Sequence, residues 1–311
     1  MQTVEWPDIS FWEELSQKSS ECTFFHTPLW HRIIVKTFKN YSIATKGFIF
    51  EDGNRAVLPL IQTSQTGLLN RKRRLKSSVF HFYGGIIAER KLSEDHQNQI
   101  YSYLGSLNAS ILIVGNPFSE YSPPDFFKRT TDVAYVVPLY RGNEYIFSRL
   151  SRGARRGLDK AKRKGVVVRI MNTEEEFPTY LEIYRDTLKR WGTAALYTYP
   201  AEFFFNMIKD AGDAVKIWVA EKDGKVIAVL NMVYWNQIAS GFHSVFLQDY
   251  FDCCPNHILH MEAMNEATKR GFHHYDLGPS AGLHGVEQFK KSFGAEPFPC
   301  FIGSWKYPGK K

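Results

Sequence analysis

Residues 214–247 read AVKIWVAEKDGKVIAVLNMVYWNQIASGFHSVFL, and their punctuation decides the fold. Ala214–Glu221 is apolar and β-branched, Lys222-Asp223-Gly224-Lys225 is a tight-turn tetrapeptide, and Val226–Trp235 is a second apolar run. Asp-Gly supplies the positive φ that a short hairpin loop needs, so the two runs are predicted to pair antiparallel. Ile238–Leu247 extends the pair to a meander. Upstream, Thr173-Glu174-Glu175-Glu176 is a capping box opening a helix to about Trp191, and a second helix follows Pro200. Before these, a basic helix from about Glu144 to Lys164 stops at Gly165 and leads into the β-branched run Val166–Ile170. Downstream, Pro255 opens a helix to Arg270, Gly271 stops it, and the strand His274–Leu277 follows. A short helix Val286–Phe293 stops at Gly294 before a last strand near Pro299–Trp305. The resulting order is β-α-α-β-β-β-α-β-α-β.

The N-terminal half repeats that order loosely. It offers a helix near Pro28–Phe38, and strands Ser42–Phe50 and Arg55–Gln62 joined through Glu51-Asp52-Gly53-Asn54. A strand near Val79–Phe82, a helix near Ser93–Leu104 and strands at Ser110–Val114 and Asp132–Pro138 complete it. A polar stretch near Tyr140–Glu144 joins the halves. The expectation is an α+β protein of two domains, 1–140 and 141–311, each a mixed, mostly antiparallel sheet flanked by helices.

Composition sets the outer limits. A chain of 311 residues, 44% hydrophobic and 23% charged, is neither disordered nor collagenous. The longest apolar runs, Val226–Leu230 and Ile111–Val114, fall far short of the roughly 18–20 residues that span a bilayer, so no transmembrane helix is expected. The N-terminus carries Glu5, Asp8, Glu13 and Glu14 with no basic lead or apolar core, unlike a secretion signal. Cys22, Cys253, Cys254 and Cys300 show no paired spacing. A cytoplasmic location, with the inner membrane face as an extension of it, is the expectation. Net charge is +7 and the pI about 9.1, which favours polyanionic partners such as RNA, nucleotide-sugar phosphates or an anionic membrane face.

Three segments carry more chemistry than composition does. Residues 148–166, SRLSRGARRGLDKAKRKGV, place Leu150, Ala154, Leu158 and Ala161 on one narrow apolar stripe and Arg152, Arg155, Arg156 and Lys160 outside it. Guanidinium forks there suit phosphate; a solvated basic face is the plainer alternative. Tyr275-Asp276-Leu277-Gly278-Pro279 ends a strand in a Gly-Pro break and runs on through Ser280-Ala281-Gly282-Leu283-His284-Gly285, a glycine-rich loop that lets backbone approach a ligand. Gly285-Val286-Glu287-Gln288-Phe289-Lys290-Lys291-Ser292-Phe293-Gly294 follows, with Phe289 and Phe293 on one helix face and Lys290 beside them.

Together these segments resemble the FemABX-like branch of the GNAT acyltransferase superfamily. The Arg-rich pattern S-x-x-x-R-R-x-x-x-K-A-x-x-x-G-V is met by Ser151, Arg155, Arg156, Lys160, Ala161, Gly165 and Val166. The late pattern Y-D-x-G…G-V-x-x-F-K-x-x-F-G is met by Tyr275, Asp276, Gly278, Gly285, Val286, Phe289, Lys290, Phe293 and Gly294. The resemblance covers the second half; the first half agrees only in element order. It implies tandem GNAT-like domains and an N-acyl or aminoacyl transferase whose donor site lies in the second. It also implies that Phe289 and Lys290 lie at the reacting centre, the ammonium stabilising charge that develops on the donor carbonyl or leaving group. The helix Tyr180–Gly192 is similar to the family's T-x-x-R helix lining the acceptor cleft, which gives Thr187 and Arg190 as acceptor-binding candidates with Tyr197 and Tyr199 as walls. Arg152, Arg155, Arg156, Tyr275 and Asp276 complete the binding set.

One departure bears on the donor. Where acetyl-CoA users of this fold carry a glycine-rich pyrophosphate loop, this chain reads Asp249-Tyr250-Phe251-Asp252-Cys253-Cys254-Pro255-Asn256-His257, without glycine. That favours an aminoacyl-tRNA ester over acyl-CoA and leaves both open. The acceptor implied is an amine on a peptidoglycan or polysaccharide precursor, with tRNA and peripheral membrane contact as further partners and no DNA. No metal or other cofactor is required. The alternatives are an acyl-CoA-dependent N-acyltransferase of exopolysaccharide biosynthesis and a non-catalytic RNA-binding or scaffold protein on the same fold.

Remaining candidates rank lower. His243, on a strand with Val245, and His284, in the glycine-rich loop, are candidates to take the acceptor amine's proton. Cys253, Cys254, His257 and His260 crowd together but lack a paired second element for zinc. Arg71-Lys72-Arg73-Arg74-Leu75-Lys76 reads as a nucleic-acid patch or a mobile hairpin tip.

Overall fold

The computed structural model describes residues 1–4, 7–63, 73–80, 82–192 and 197–307. It divides into two compact units, Met1–Val133 with Phe298–Lys311, and Ala134–Pro297. The C-terminal strand thus falls largely with the first unit, whereas the sequence assigned it to a second domain beginning at residue 141.

In the first unit, two sheets share one hairpin. Lys46–Ile49 pairs with Arg55–Leu58 in a small sheet completed by Gln2–Val4 and Ile87–Ala88. Tyr41–Ile43 pairs with Ile61–Thr63 in another, which continues through Arg73–Lys76 and Ala109–Val114 to the Ile302–Trp305 end of the strand Glu296–Trp305. The two long strands expected from sequence are therefore each broken. Pro59 has no N–H for the ladder, and opposite it the Thr45 hydroxyl accepts from Leu60 N at 3.2 Å, which completes the bend. Residues 78–80 and 82 are not a strand, and 81 lies outside the described residues. Arg71 and Lys72 also lie outside them, while Arg73–Lys76 is a paired strand and not a loop tip.

The second unit is built on the meander. Val215–Lys222, Lys225–Trp235 and Ile238–Phe246 pair antiparallel, with Val167–Ile170 on one edge. Asp223 and Gly224 both take positive φ, as the Asp-Gly turn requires. Val226 to Tyr234 are buried without alternation because helices cover both faces. On the Asn231 face lies Thr173–Trp191, whose Tyr180, Ile183, Tyr184 and Thr187 form a stripe at helical spacing. On the Met232 face lies Pro255–Lys269, opened by Pro255 after a left-handed Cys254 and burying Ile258, Leu259, Met261, Ala263 and Met264. His274–Pro279 then joins Ile238–Phe246 in parallel, and its other edge pairs antiparallel with Ala134–Pro138.

The single basic helix expected over Glu144–Lys164 is two helices, Gly142–Arg149 and Arg152–Arg163. Leu150 turns out of helical conformation and Ser151 caps the second helix, its hydroxyl accepting from Ala154 N at 3.0 Å. Serine competes with the helix interior by making that bond. The second helix packs on Pro255–Lys269 through Gly157, where a Cβ would stand 2.7 Å from His257 Cδ2. Alanine at 157 would gain about 1 kcal/mol of helix propensity but lose about 1–3 kcal/mol to that overlap. G157A is therefore expected to lower the urea midpoint without changing the slope, and a raised midpoint would contradict this packing.

Candidate active site

The parallel pair Ile238–Phe246 and His274–Pro279 makes the opening. Their ladder runs Ile238↔His274, Ala239↔Tyr275 and Ser240↔Asp276, and stops there. On the first strand Asn231 pairs with His243 and Met232 with Gly241, so Phe242 is an inserted residue that bulges the strand at this point. On the second, Gly278 takes φ +72° and turns the chain away. The strands part beyond Ser240 and Asp276, with Gly241–His243 on one wall and Gly278–Ser280 on the other.

Lys290 reaches the Gly278 wall from the helix His284–Ser292. Only 8% exposed, it donates from Nζ to the carbonyls of Gly278 at 2.9 Å and Pro279 at 2.7 Å. The buried Asp276 carboxylate fixes the same turn by accepting from Gly278 N at 2.7 Å. Gly278 is needed here for its φ of +72°, which side chains rarely adopt. Phe289 presents its ring to His257 and His260, with centroids 5.2 and 5.6 Å away. His260 was legible only as a doubtful metal ligand. The structure seats it, buried, with Nδ1 2.8 Å from the Tyr275 hydroxyl, and a Cβ on Gly241 would lie 4.0 Å from its Cε1. Burial and the Lys290 charge push its pKa down to about 3, so the imidazole is neutral. Tyr275 is itself fully buried and supports His260 from behind.

The opposite face of the meander carries an aromatic cluster. His243 Nδ1 lies 3.2 Å from the hydroxyl of the buried Tyr180, and the rings of Tyr184, Tyr199 and Phe204 surround it at 5.2, 6.1 and 5.4 Å. Tyr199 is held by its N–H on the Tyr184 hydroxyl at 2.7 Å and stacks on Phe203. Burial drives His243 down to about 4. Thr187 and Arg190 both donate to the Phe246 carbonyl at 3.2 Å, and the guanidinium lies over the Phe246 ring at 4.3 Å and 3.6 Å from Asp186. They pin the end of the bulged strand. Mutual support of this kind is invisible in a T-x-x-R spacing.

The other candidates lie away from Lys290 or are engaged locally. His284 is exposed at the opposite end of the Lys290 helix, roughly 9 Å along its axis at 1.5 Å per residue. Arg155 donates to the carbonyls of Phe147 and Ser148 at 3.2 and 2.9 Å, satisfying the C-terminus of the preceding helix. Arg152 and Arg156 are exposed. In the segment without glycine, Cys254 adopts the left-handed conformation, and Asp252 is held by Lys160 and by Lys164 at 2.7 Å, which lowers its pKa to about 2. Among the described residues no group of three His, Cys, Asp or Glu side chains could hold a metal, and no helix is long and apolar enough to cross a membrane.

Comparison with known proteins bears on the fold. Residues 148–291 match the family model of the acetyltransferase (GNAT) domain. A sequence search against curated proteins gives no match. Among solved structures, FemX is similar at TM-score 0.71 and 11% identity, over 97% of each chain. The C-terminal domain of a putative lysylphosphatidylglycerol synthetase from Agrobacterium fabrum aligns at TM-score 0.60 and 12% identity, over 96% of this chain and 91% of that one. A tandem GNAT protein from the clavulanic acid biosynthesis pathway aligns at 0.56 and 9%, over 99% and 98%. Residues 148–291 match a GNAT domain, and the chain as a whole has the α+β fold that these structures share.

Proposed function

We propose that this chain, a tandem GNAT fold with a GNAT domain over residues 148–291, transfers an activated acyl or aminoacyl group to an amine on a cell-envelope precursor. The observation that carries the reading is the buried Lys290 ammonium at the point where the two parallel strands part. A fixed positive charge beside the opening where the two strands part suits an acyl carbonyl whose oxygen gains negative charge as the amine attacks. Phe289, packed on His257 and His260, holds the lysine's helix against the helix Pro255–Lys269. Because the donor arrives activated and the amine attacks as the free base, positioning and charge stabilisation are the protein's contribution.

Aminoacyl-tRNA is the favoured donor. The segment 249–257 offers no glycine cradle for pyrophosphate, and Lys160 and Lys164 are already committed to Asp252. The exposed Arg152 and Arg156 suit a polyanion held at the outer face of the basic helix. Acyl-CoA is the second reading, favoured by the acetyltransferase family model. Titrating the full chain with a mixed aminoacyl-tRNA pool, deacylated tRNA and acetyl-CoA at two salt concentrations decides between them. Salt-sensitive binding that prefers charged tRNA is expected. Saturable, salt-resistant acetyl-CoA binding would replace the donor, and binding of neither would remove acyl transfer as the function.

A further inference from the structure

The hydroxyl of Tyr180 bears on which nitrogen of His243 carries its proton. Tyr180 is about 1% exposed, and its hydroxyl already accepts from Asn231 Nδ2 at 3.0 Å. Its own proton needs an acceptor, since a buried O–H without one costs about 1–3 kcal/mol. With the Asn231 amide nitrogen facing Tyr180 and its Oδ1 left without a hydrogen bond among the described residues, the acceptor that the Tyr180 proton meets is His243 Nδ1 at 3.2 Å. A nitrogen that accepts carries no proton, so the neutral ring is protonated at Nε2. That nitrogen makes no hydrogen bond among the described residues. Asn231 and His243 are directly opposed across the ladder at the Phe242 bulge, so the three polar groups sit where the wall of the opening begins.

We infer that His243 serves the transfer reaction as a hydrogen-bond donor and not as its base, offering Nε2–H to an oxygen of the substrate, with Tyr180 and Asn231 as positioning residues. The inference rests on the acyl-transfer reading for the identity of the substrate but not for the state of the ring. The surroundings fit a donor. Tyr184, Tyr199 and Phe204 enclose the imidazole with apolar ring faces, and among the described residues no carboxylate bonds it to stabilise an imidazolium. Burial accordingly keeps it neutral, which makes it a poor proton acceptor and leaves its N–H strong in a low-dielectric setting. The sequence presents His243 as a candidate base because strand alternation shows where the ring stands and nothing of what Nδ1 meets.

Long-range ¹H–¹⁵N correlation on the full chain labelled in histidine reads the tautomer without any substrate, with H243Q identifying the signal. A single Nε2–H form is expected, and Y180F should remove that preference. An Nδ1–H form, or a preference that survives Y180F, overturns the inference. In the transfer assay, with charged tRNA or acetyl-CoA as donor, glutamine at 243 keeps an N–H near the Nε2 position but takes no proton. H243A should lose about 10²-fold in turnover and H243Q less than about tenfold; equal losses in both would return His243 to the role of base. If neither donor supports turnover, the acyl-transfer reading fails while the spectrum still decides the tautomer.

Discussion

Replacing Lys290 by methionine is expected to lower acyl-transfer turnover by about 10²–10³-fold, the usual consequence of removing one donor that faces a developing oxyanion. Methionine keeps the length of the stem and its packing beside Phe289, and removes the charge and the two bonds to the carbonyls of Gly278 and Pro279. Those carbonyls then lie near a thioether, and a stability loss of about 1–3 kcal/mol is expected alongside the kinetic one. The two effects separate through a second variant. Glutamine supplies N–H groups to the turn without a charge, so K290Q should recover much of the stability and little of the turnover. Retention of more than about a tenth of kcat in K290M would show that the charge does not act on the reaction. Lys290 would then be a clamp for the Gly278 turn, and the scaffold reading of the chain would gain ground.

The late signature was readable because its parts are local. Asp276 and Gly278 are two residues apart and close one turn, and Phe289 and Phe293 follow helical spacing, so the pattern of residues is the pattern of contacts. Lys290 stands beside them in sequence, yet its burial is set by a loop that precedes it and by the divergence of two parallel strands, which no spacing encodes. His260 escaped for the same reason. Its partners come from two other elements, Tyr275 from the strand His274–Pro279 and Phe289 and the Lys290 charge from the helix His284–Ser292. The meander was legible from its turn and apolar runs, whereas the broken strands of the first unit depend on Pro59 and Thr45 meeting across a hairpin. The continuous basic stretch concealed a helix break because Ser151 acts through one side-chain bond, and charge patterning gives no sign of it.

Acid should destabilise the protein well above the carboxylate range. His26, His31 and His260 are buried and neutral, with pKa values lowered to about 4, about 4 and about 3. Geometry supports the direction for His26 in particular. Its Nδ1 lies 3.2 Å from Thr23 N, which donates to it, and Nε2 lies 2.8 Å from the Gly84 carbonyl, so a second ring proton would face a donor. A histidine whose folded pKa lies below its unfolded value near 6.5 takes up its proton first in the unfolded chain. Stability from these groups is therefore complete above about pH 6.5 and is lost as pH falls toward the folded values. Between pH 7.5 and 5 each contributes a loss of about 2 kcal/mol, so His26 and His31 together remove about 4 kcal/mol from the first unit. That is a large share of a typical domain's 5–15 kcal/mol. The ion-paired Glu14 and Glu89, held near 2 by Arg55 and Lys18, shed their contribution only below the ordinary carboxylate pKa, and Glu21, raised by burial, acts in the opposite direction to the histidines. Urea titrations at half-unit steps from pH 7.5 to 5 should show midpoints falling with pH, and H26Q, which cannot titrate, should flatten that slope by about one histidine's share. Midpoints that stay level across the window would mean that these rings already accept protons in the folded state, against the bonding of His26 to Thr23 and Gly84.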